Sequence, residues 1–189
     1  MYCSSSDAVH PKYFEVAREL GTAIARECGT LVYGGTHIGL MGEIARATYA
    51  AGGKVIGVIP QIIHQRGLAY DQAHEVVLTR DLRERKHEME SRSDAFIALP
   101  GGVGTFEEVL EMLALKQLKV HTKPIILLNQ DGYYDPLIAL LEHAIRGKFM
   151  KAGSRLLYFN APTVADAMDH LRNYTPPDVD PKWFEAAEA

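Results

Sequence analysis

Three glycines stand close together in the run Pro100-Gly101-Gly102-Val103-Gly104-Thr105. Glycine removes the side chain that would hold a ligand away from the backbone. A helix that starts in or just after such a run offers N–H groups without intrahelical partners and the positive end of its dipole. Phosphate is the anion best suited to that arrangement. The plainer alternative is a tight turn that uses glycine for its shape alone. A second run, Gly34-Gly35-Thr36-His37-Ile38-Gly39, favours phosphate. It approximates the dinucleotide pattern G-x-G-x-x-G, but Thr36 occupies the glycine position that lets a pyrophosphate approach. In the first run, Glu107 stands where the third glycine would lie. Neither run matches G-x-x-x-x-G-K-[ST]. A mononucleotide fits better than NAD or ATP.

Carboxylates and cations follow nearby. Thr105-Phe106-Glu107-Glu108 has the form of a capping box. On a helical wheel Phe106, Val109, Leu110 and Leu113 form the expected buried face, and Glu107 and Glu111 the polar one. Glu108 falls at the boundary, near Met112 and Leu115. A carboxylate there either caps its helix or stabilises a cationic transition state and orients water. Leu82–Ser93 is charge-rich, with Leu82 and Met89 as its one apolar stripe, flanked by Arg85 and Lys86. A solvated surface helix capped by Asp81-x-x-Glu84 is the ordinary reading of that segment.

These residues need a scaffold, and strand-like runs alternate with helical ones. Expected strands are Thr30–Tyr33, Lys54–Ile59, Glu75–Leu78, Ala95–Leu99, Pro124–Leu128 and Leu157–Phe159, with Met1–Cys3 as a first stub. Expected helices are Pro11–Cys28, Met41–Ala51, Leu82–Ser93, Thr105–Leu118, Tyr134–Lys148 and Val164–Tyr174. Val55-Ile56-Gly57-Val58-Ile59 and Ile125-Ile126-Leu127-Leu128 do not alternate, as suits strands buried on both faces of a parallel sheet. The implied fold is α/β, a Rossmann-like doubly wound and mainly parallel sheet with helices on both faces. Ligands bind beyond the carboxyl ends of such strands. Ser4-Ser5-Ser6-Asp7 and the two glycine runs follow three strands, so they should meet at one crevice.

The chain has 189 residues, 47% hydrophobic and 23% charged, with net charge −4. That length suits one domain over residues 1–175 with a proline-containing tail over 176–189. Nothing basic enough for a nucleic-acid surface is present. No apolar run reaches the ~20 residues that cross a bilayer. The two cysteines, Cys3 and Cys28, lack metal-ligand spacing and suit a reducing, cytoplasmic setting. No lysine stands in a sequence setting recognisable as that of a pyridoxal phosphate Schiff base.

Gly34-Gly35-x-x-x-Gly39-Leu40-Met41-Gly42, then Arg85-Lys86, then Pro100-Gly101-Gly102-x-Gly104-Thr105-x-x-Glu108 resemble the LOG family of cytokinin riboside 5′-monophosphate phosphoribohydrolases. The resemblance spans Tyr2 to about Arg172. It implies hydrolysis of the bond between base and ribose 5-phosphate, without metal or organic cofactor, by a homodimer. It makes Arg85 and Glu108 the catalytic pair. Lys86 and Met89 are expected to line the substrate, with Ser5, Gly34, Gly35 and Thr36. Gly101, Gly102, Gly104 and Thr105 are expected to hold the 5′-phosphate, with Val103 and Glu107 also at the substrate. Ser4 and Thr36 depart from the family pattern, as do the lack of an acidic residue near Gly67 and the pair Ala114-Leu115; the last two leave open whether the substrate is AMP or an N6-prenylated AMP. Molybdenum cofactor carriers share the glycine-loop core, so a carrier that binds without hydrolysing is the rival reading.

Overall fold

A computed structural model describes residues 1–179, Lys182 and Trp183. The remainder of the expected tail, residues 180–181 and 184–189, lies outside the described residues.

The elements run α1 (Pro11–Arg26), β1 (Thr30–Tyr33), α2 (Gly39–Ala50), β2 (Lys54–Pro60), α3 (Gln61–His64), β3 (Glu75–Thr79), α4 (Leu82–Ser91), β4 (Phe96–Ala98), α5 (Val103–Gln117), β5 (Ile125–Leu128), α6 (Asp135–Arg146), β6 (Phe159–Ala161) and α7 (Val164–Arg172). Short 3₁₀ segments cover Gln130–Gly132 and Ala152–Leu157. The strands form two parallel three-stranded sheets, in the orders β1-β2-β3 and β4-β5-β6. The alternating α/β architecture expected from the sequence is therefore present.

The chain divides into two compact units. The first comprises Met1–Ser93 with Gly101–Thr105, and the second Asp94–Pro100 with Phe106–Ala189. In the first unit, β2 is buried from Val55 through Pro60, which explains its unbroken apolar run. β3 pairs with β2 alone and alternates between covered and open positions, leaving Val76 and Leu78 exposed. Helices α1 and α2 cross closely at Gly21, where an added Cβ would come within 2.7 Å of the Ile44 carbonyl oxygen. Of the expected first strand, Tyr2 forms a single bridge, and Met1, Tyr2 and Cys3 are all buried.

In the second unit every residue of β4 and β5 is buried. β6 begins two residues later than the sequence suggests. The apolar pair Leu156-Leu157 belongs to a 3₁₀ turn, in which Leu157 packs inward and Leu156 faces outward. A short apolar run cannot by itself separate strand from a buried turn.

Candidate functional site

The start of α5 settles what its glycines and acids do locally. The helix begins at Val103, so Thr105 is its third residue and not its N-cap. The expected capping box is thereby overturned. The Thr105 side chain folds instead against Gly101, where an added Cβ would collide with Oγ1 and lie 3.0 Å from the Ser4 amide nitrogen. Gly101 is thus glycine because the Thr105 side chain and the Ser4 backbone crowd it. Gly102 and Gly104 differ. A Cβ on either meets nothing within 4 Å, and neither has a positive φ. Neither packing nor backbone conformation demands glycine at these two positions. Gly104, inside the first turn of a helix, carries a stability cost of up to ~1 kcal/mol relative to alanine.

The second glycine run is built differently. Gly35 has φ 79° and Gly39 has φ 58°, conformations that favour glycine. The Gly39 N–H donates to Asp7 Oδ1 at 2.8 Å, and Met41 N–H donates to the Ser4 carbonyl at 3.3 Å. The N-terminus of α2 is therefore satisfied by the Ser4–Asp7 turn. Thr36 is buried, with Oγ1 3.4 Å from Met41 Sδ, and pairs with Ala69 in an isolated antiparallel bridge. Gly34 faces Arg85: an added Cβ would collide with Arg85 Nη2 and lie 2.8 Å from Met41 Sδ. Arg85 Nε donates to the Val58 carbonyl at 3.2 Å. Ordinary turn and packing reasons thus account for Gly34, Gly35 and Gly39, and Gly34 in particular makes room for a guanidinium.

The three turns chosen from the sequence do meet within the first unit. Ser4 abuts Gly101, Ser5 and Ser6 abut Gly39, and Arg85 reaches Gly34 and Val58 from α4. Asp81 caps α4, its Oδ1 accepting from Arg83 N at 2.8 Å and Glu84 N at 2.9 Å. Glu84 Oε2 accepts from the Arg80 backbone N–H at 2.6 Å, which fixes the entry into the helix that carries Arg85. Lys86 is half-buried on the same turn, and Ser5 is exposed. Met89, expected at the substrate, is the one buried residue of α4. Core packing accounts for it. Val103 and Glu107 are exposed.

Helix α5 corrects the wheel drawn from the sequence. Leu110 is exposed, whereas Glu108 is 6% exposed. The buried stripe is Thr105, Glu108, Val109, Met112, Leu113 and Lys116. Three of these six are polar or charged. Counting Leu110 into the buried face left Glu108 at its boundary and displaced the stripe by nearly one position. Removing a carboxylate from water is costly, so a buried acid one turn beyond an open glycine start marks chemistry more strongly than the boundary position first assigned to it. Among the described residues no group of three or more His, Cys, Asp or Glu side chains is arranged to hold a metal ion.

Residues 41–171 match the family model described as "possible lysine decarboxylase". The chain is 42% identical over 180 residues to a probable cytokinin riboside 5′-monophosphate phosphoribohydrolase of Oryza sativa subsp. japonica, covering 95% of this chain and 73% of the relative. It is 40% identical over 176 residues to the cytokinin riboside 5′-monophosphate phosphoribohydrolase LOG5 of Arabidopsis thaliana, covering 93% and 77%. Among solved structures it resembles the molybdenum cofactor binding protein of Rippkaea orientalis, with a TM-score of 0.68 at 25% identity over 87% of this chain and 89% of that one. It also resembles the Moco carrier protein of Chlamydomonas reinhardtii, with a TM-score of 0.67 at 26% identity over 89% and 90%.

Proposed function

We propose, for a chain that belongs to the LOG family of phosphoribohydrolases, that it hydrolyses the N-glycosidic bond of a purine nucleoside 5′-monophosphate, AMP or an N6-prenylated AMP. Water adds at C1′, the base leaves with the electron pair of the C–N bond and takes up a proton, and ribose 5-phosphate remains. The observation that carries this reading is the buried Glu108 on the helix that starts just after Gly102 and contains Gly104, two glycines whose identity neither packing nor backbone conformation requires.

Each part has a physical task. The N–H groups of the first turn of α5 hold the 5′-phosphate, helped by the helix dipole. Cleavage passes through an oxocarbenium-like state, as in other glycoside hydrolyses. The Glu108 carboxylate stabilises that charge and orients the water. Arg85, seated against Gly34 and Val58, binds the substrate, with Lys86 next to it in the chain. No metal is called for by this chemistry. The working form is a homodimer in the cytoplasm, a setting suited to the exposed thiol of Cys28.

Product analysis tests the reading. AMP and prenylated AMP incubated with the protein should each be examined for free base and ribose 5-phosphate by chromatography. Release of base from at least one is expected. A protein that releases base from no purine monophosphate overturns it. The fold likeness to the two molybdenum cofactor proteins favours a second reading, binding without hydrolysis. Co-purification of a pterin with no base release would establish that one instead.

Gly104→Ala separates stability from binding. The added methyl meets nothing, so the variant should gain ~0.4–1 kcal/mol in denaturant unfolding. Its KM for the monophosphate should rise about tenfold, a loss of ~1.4 kcal/mol. An unchanged KM would remove Gly104 from the phosphate cradle.

A further inference from the structure

Near the C-terminal end of α5, far along the helix from Glu108, Lys116 closes the buried stripe. It is 5% exposed. Its Nζ donates to the Tyr174 hydroxyl at 3.0 Å and lies 5.2 Å from the centre of the Tyr174 ring. The Tyr174 hydroxyl in turn donates to the Thr122 carbonyl at 2.7 Å. Among the described residues no carboxylate pairs with Lys116. Burying a lysine without a counter-ion penalises its charged form.

Lys116 also borders two cavities of the second unit. One, of about 140 Å³, is lined by Lys119, His121, Thr122 and Pro177 among others. The second, of about 210 Å³, has walls of Ile125, Leu156, Tyr158, Phe159, His170 and Tyr174. Its walls are mostly apolar and aromatic. The His170 ring stacks on Phe159 at 4.0 Å, with the planes 2° apart. Arg155 at the rim is engaged by Glu142, at 2.7 and 2.6 Å. Lys116 is therefore the reactive group that the larger cavity offers without a carboxylate partner.

We propose that Lys116 is a nucleophilic amine at a second site, separate from the nucleotide chemistry, which captures a small aldehyde with an aromatic or apolar body as a reversible imine. The neutral amine attacks the carbonyl carbon, and the carbonyl oxygen takes up a proton to give a carbinolamine. Loss of water then forms the C=N bond, and hydrolysis reverses the sequence. No oxidant or reductant is consumed. The cavity walls supply a dry face for the aldehyde body. The Tyr174 hydroxyl holds Nζ in place, while its own proton is committed to Thr122. His170, on the same cavity wall, is the group placed to relay the proton.

The charge state agrees with that geometry. Desolvation lowers Lys116 from its ordinary range to about 8, so a useful fraction is neutral near physiological pH. Desolvation, reinforced by the Lys116 cation, also lowers His170. The other titratable or charged groups lining the two cavities are Lys119, His121, Asp178, Arg155 and Tyr158.

The test uses benzaldehyde and sodium cyanoborohydride on the full chain, with peptide mapping by mass spectrometry. One benzyl adduct per chain, at Lys116, is expected before any surface lysine reacts. Half-maximal labelling should fall near pH 8, against a midpoint above about 10 for an ordinary solvent-exposed lysine. Lys116→Met should remove that adduct and stay folded by circular dichroism, since it removes a charge and keeps the bulk. Adducts spread over surface lysines without preference for Lys116, or no adduct at all, overturn the proposal. Mapping on the wild-type protein decides the matter even if the variant fails to fold. Base release from AMP is measured in parallel, so failure here is distinguishable from failure of the phosphoribohydrolase reading.

Discussion

Glu108→Gln should cut base release from a purine monophosphate about a thousandfold while changing nucleotide affinity less than about threefold, within the range set by loss of a positioned acid or base. Glutamine keeps the shape and the acceptor oxygen but not the charge. Stabilisation of an oxocarbenium ion depends on that charge, and binding of a 5′-phosphate at the start of α5 does not. The loss should therefore sit in kcat. Glu108 is 6% exposed and glutamine fills the same volume, so circular dichroism should show the variant folded as the wild type. Turnover within tenfold of wild type would remove Glu108 from the chemistry and leave it as a buried structural acid.

That prediction rests on a feature the sequence showed only in part. The alternation of strands and helices was legible because β2 and β5 are unbroken apolar runs and because Asp81 and the glycines punctuate the chain. The phosphate cradle was legible as composition, but its register was not. Thr105-x-x-Glu108 has the spacing of a capping box, and only the start of α5 at Val103 shows that Thr105 lies inside the helix. Glu108 was placed at a boundary because a hydrophobic wheel counts Leu110 into the buried face. A buried acid and the buried Lys116 both defeat such scoring, since function and tertiary packing override the pattern there. The two glycine runs look alike in sequence, yet only one leaves two of its glycines, Gly102 and Gly104, without an internal reason. In the other, the Ser4–Asp7 turn takes the N–H groups of α2, a long-range pairing that no local pattern reports.

Gly34→Ala should lower kcat/KM for the monophosphate about a hundredfold, a loss of ~2.7 kcal/mol, although it adds one methyl group and touches no charge. Gly34 has no positive φ, so alanine is compatible with the backbone. The methyl would instead collide with Arg85 Nη2 and press on Met41 Sδ at 2.8 Å. Met41 is flexible enough to yield. Arg85 is held by its Nε bond to the Val58 carbonyl and must leave its seat to make room. The variant therefore keeps the arginine and loses its position. Arg85→Ala should show the same loss, and the double variant should be no worse than either one. Strong non-additivity of this kind identifies two substitutions that act through one group. If the losses multiply to about ten-thousandfold, Gly34 acts on the substrate independently of Arg85, and its backbone belongs with Gly102 and Gly104 as a direct binding surface. If Gly34→Ala is silent while Arg85→Ala is not, the guanidinium does its work from a position other than the one seen against Val58.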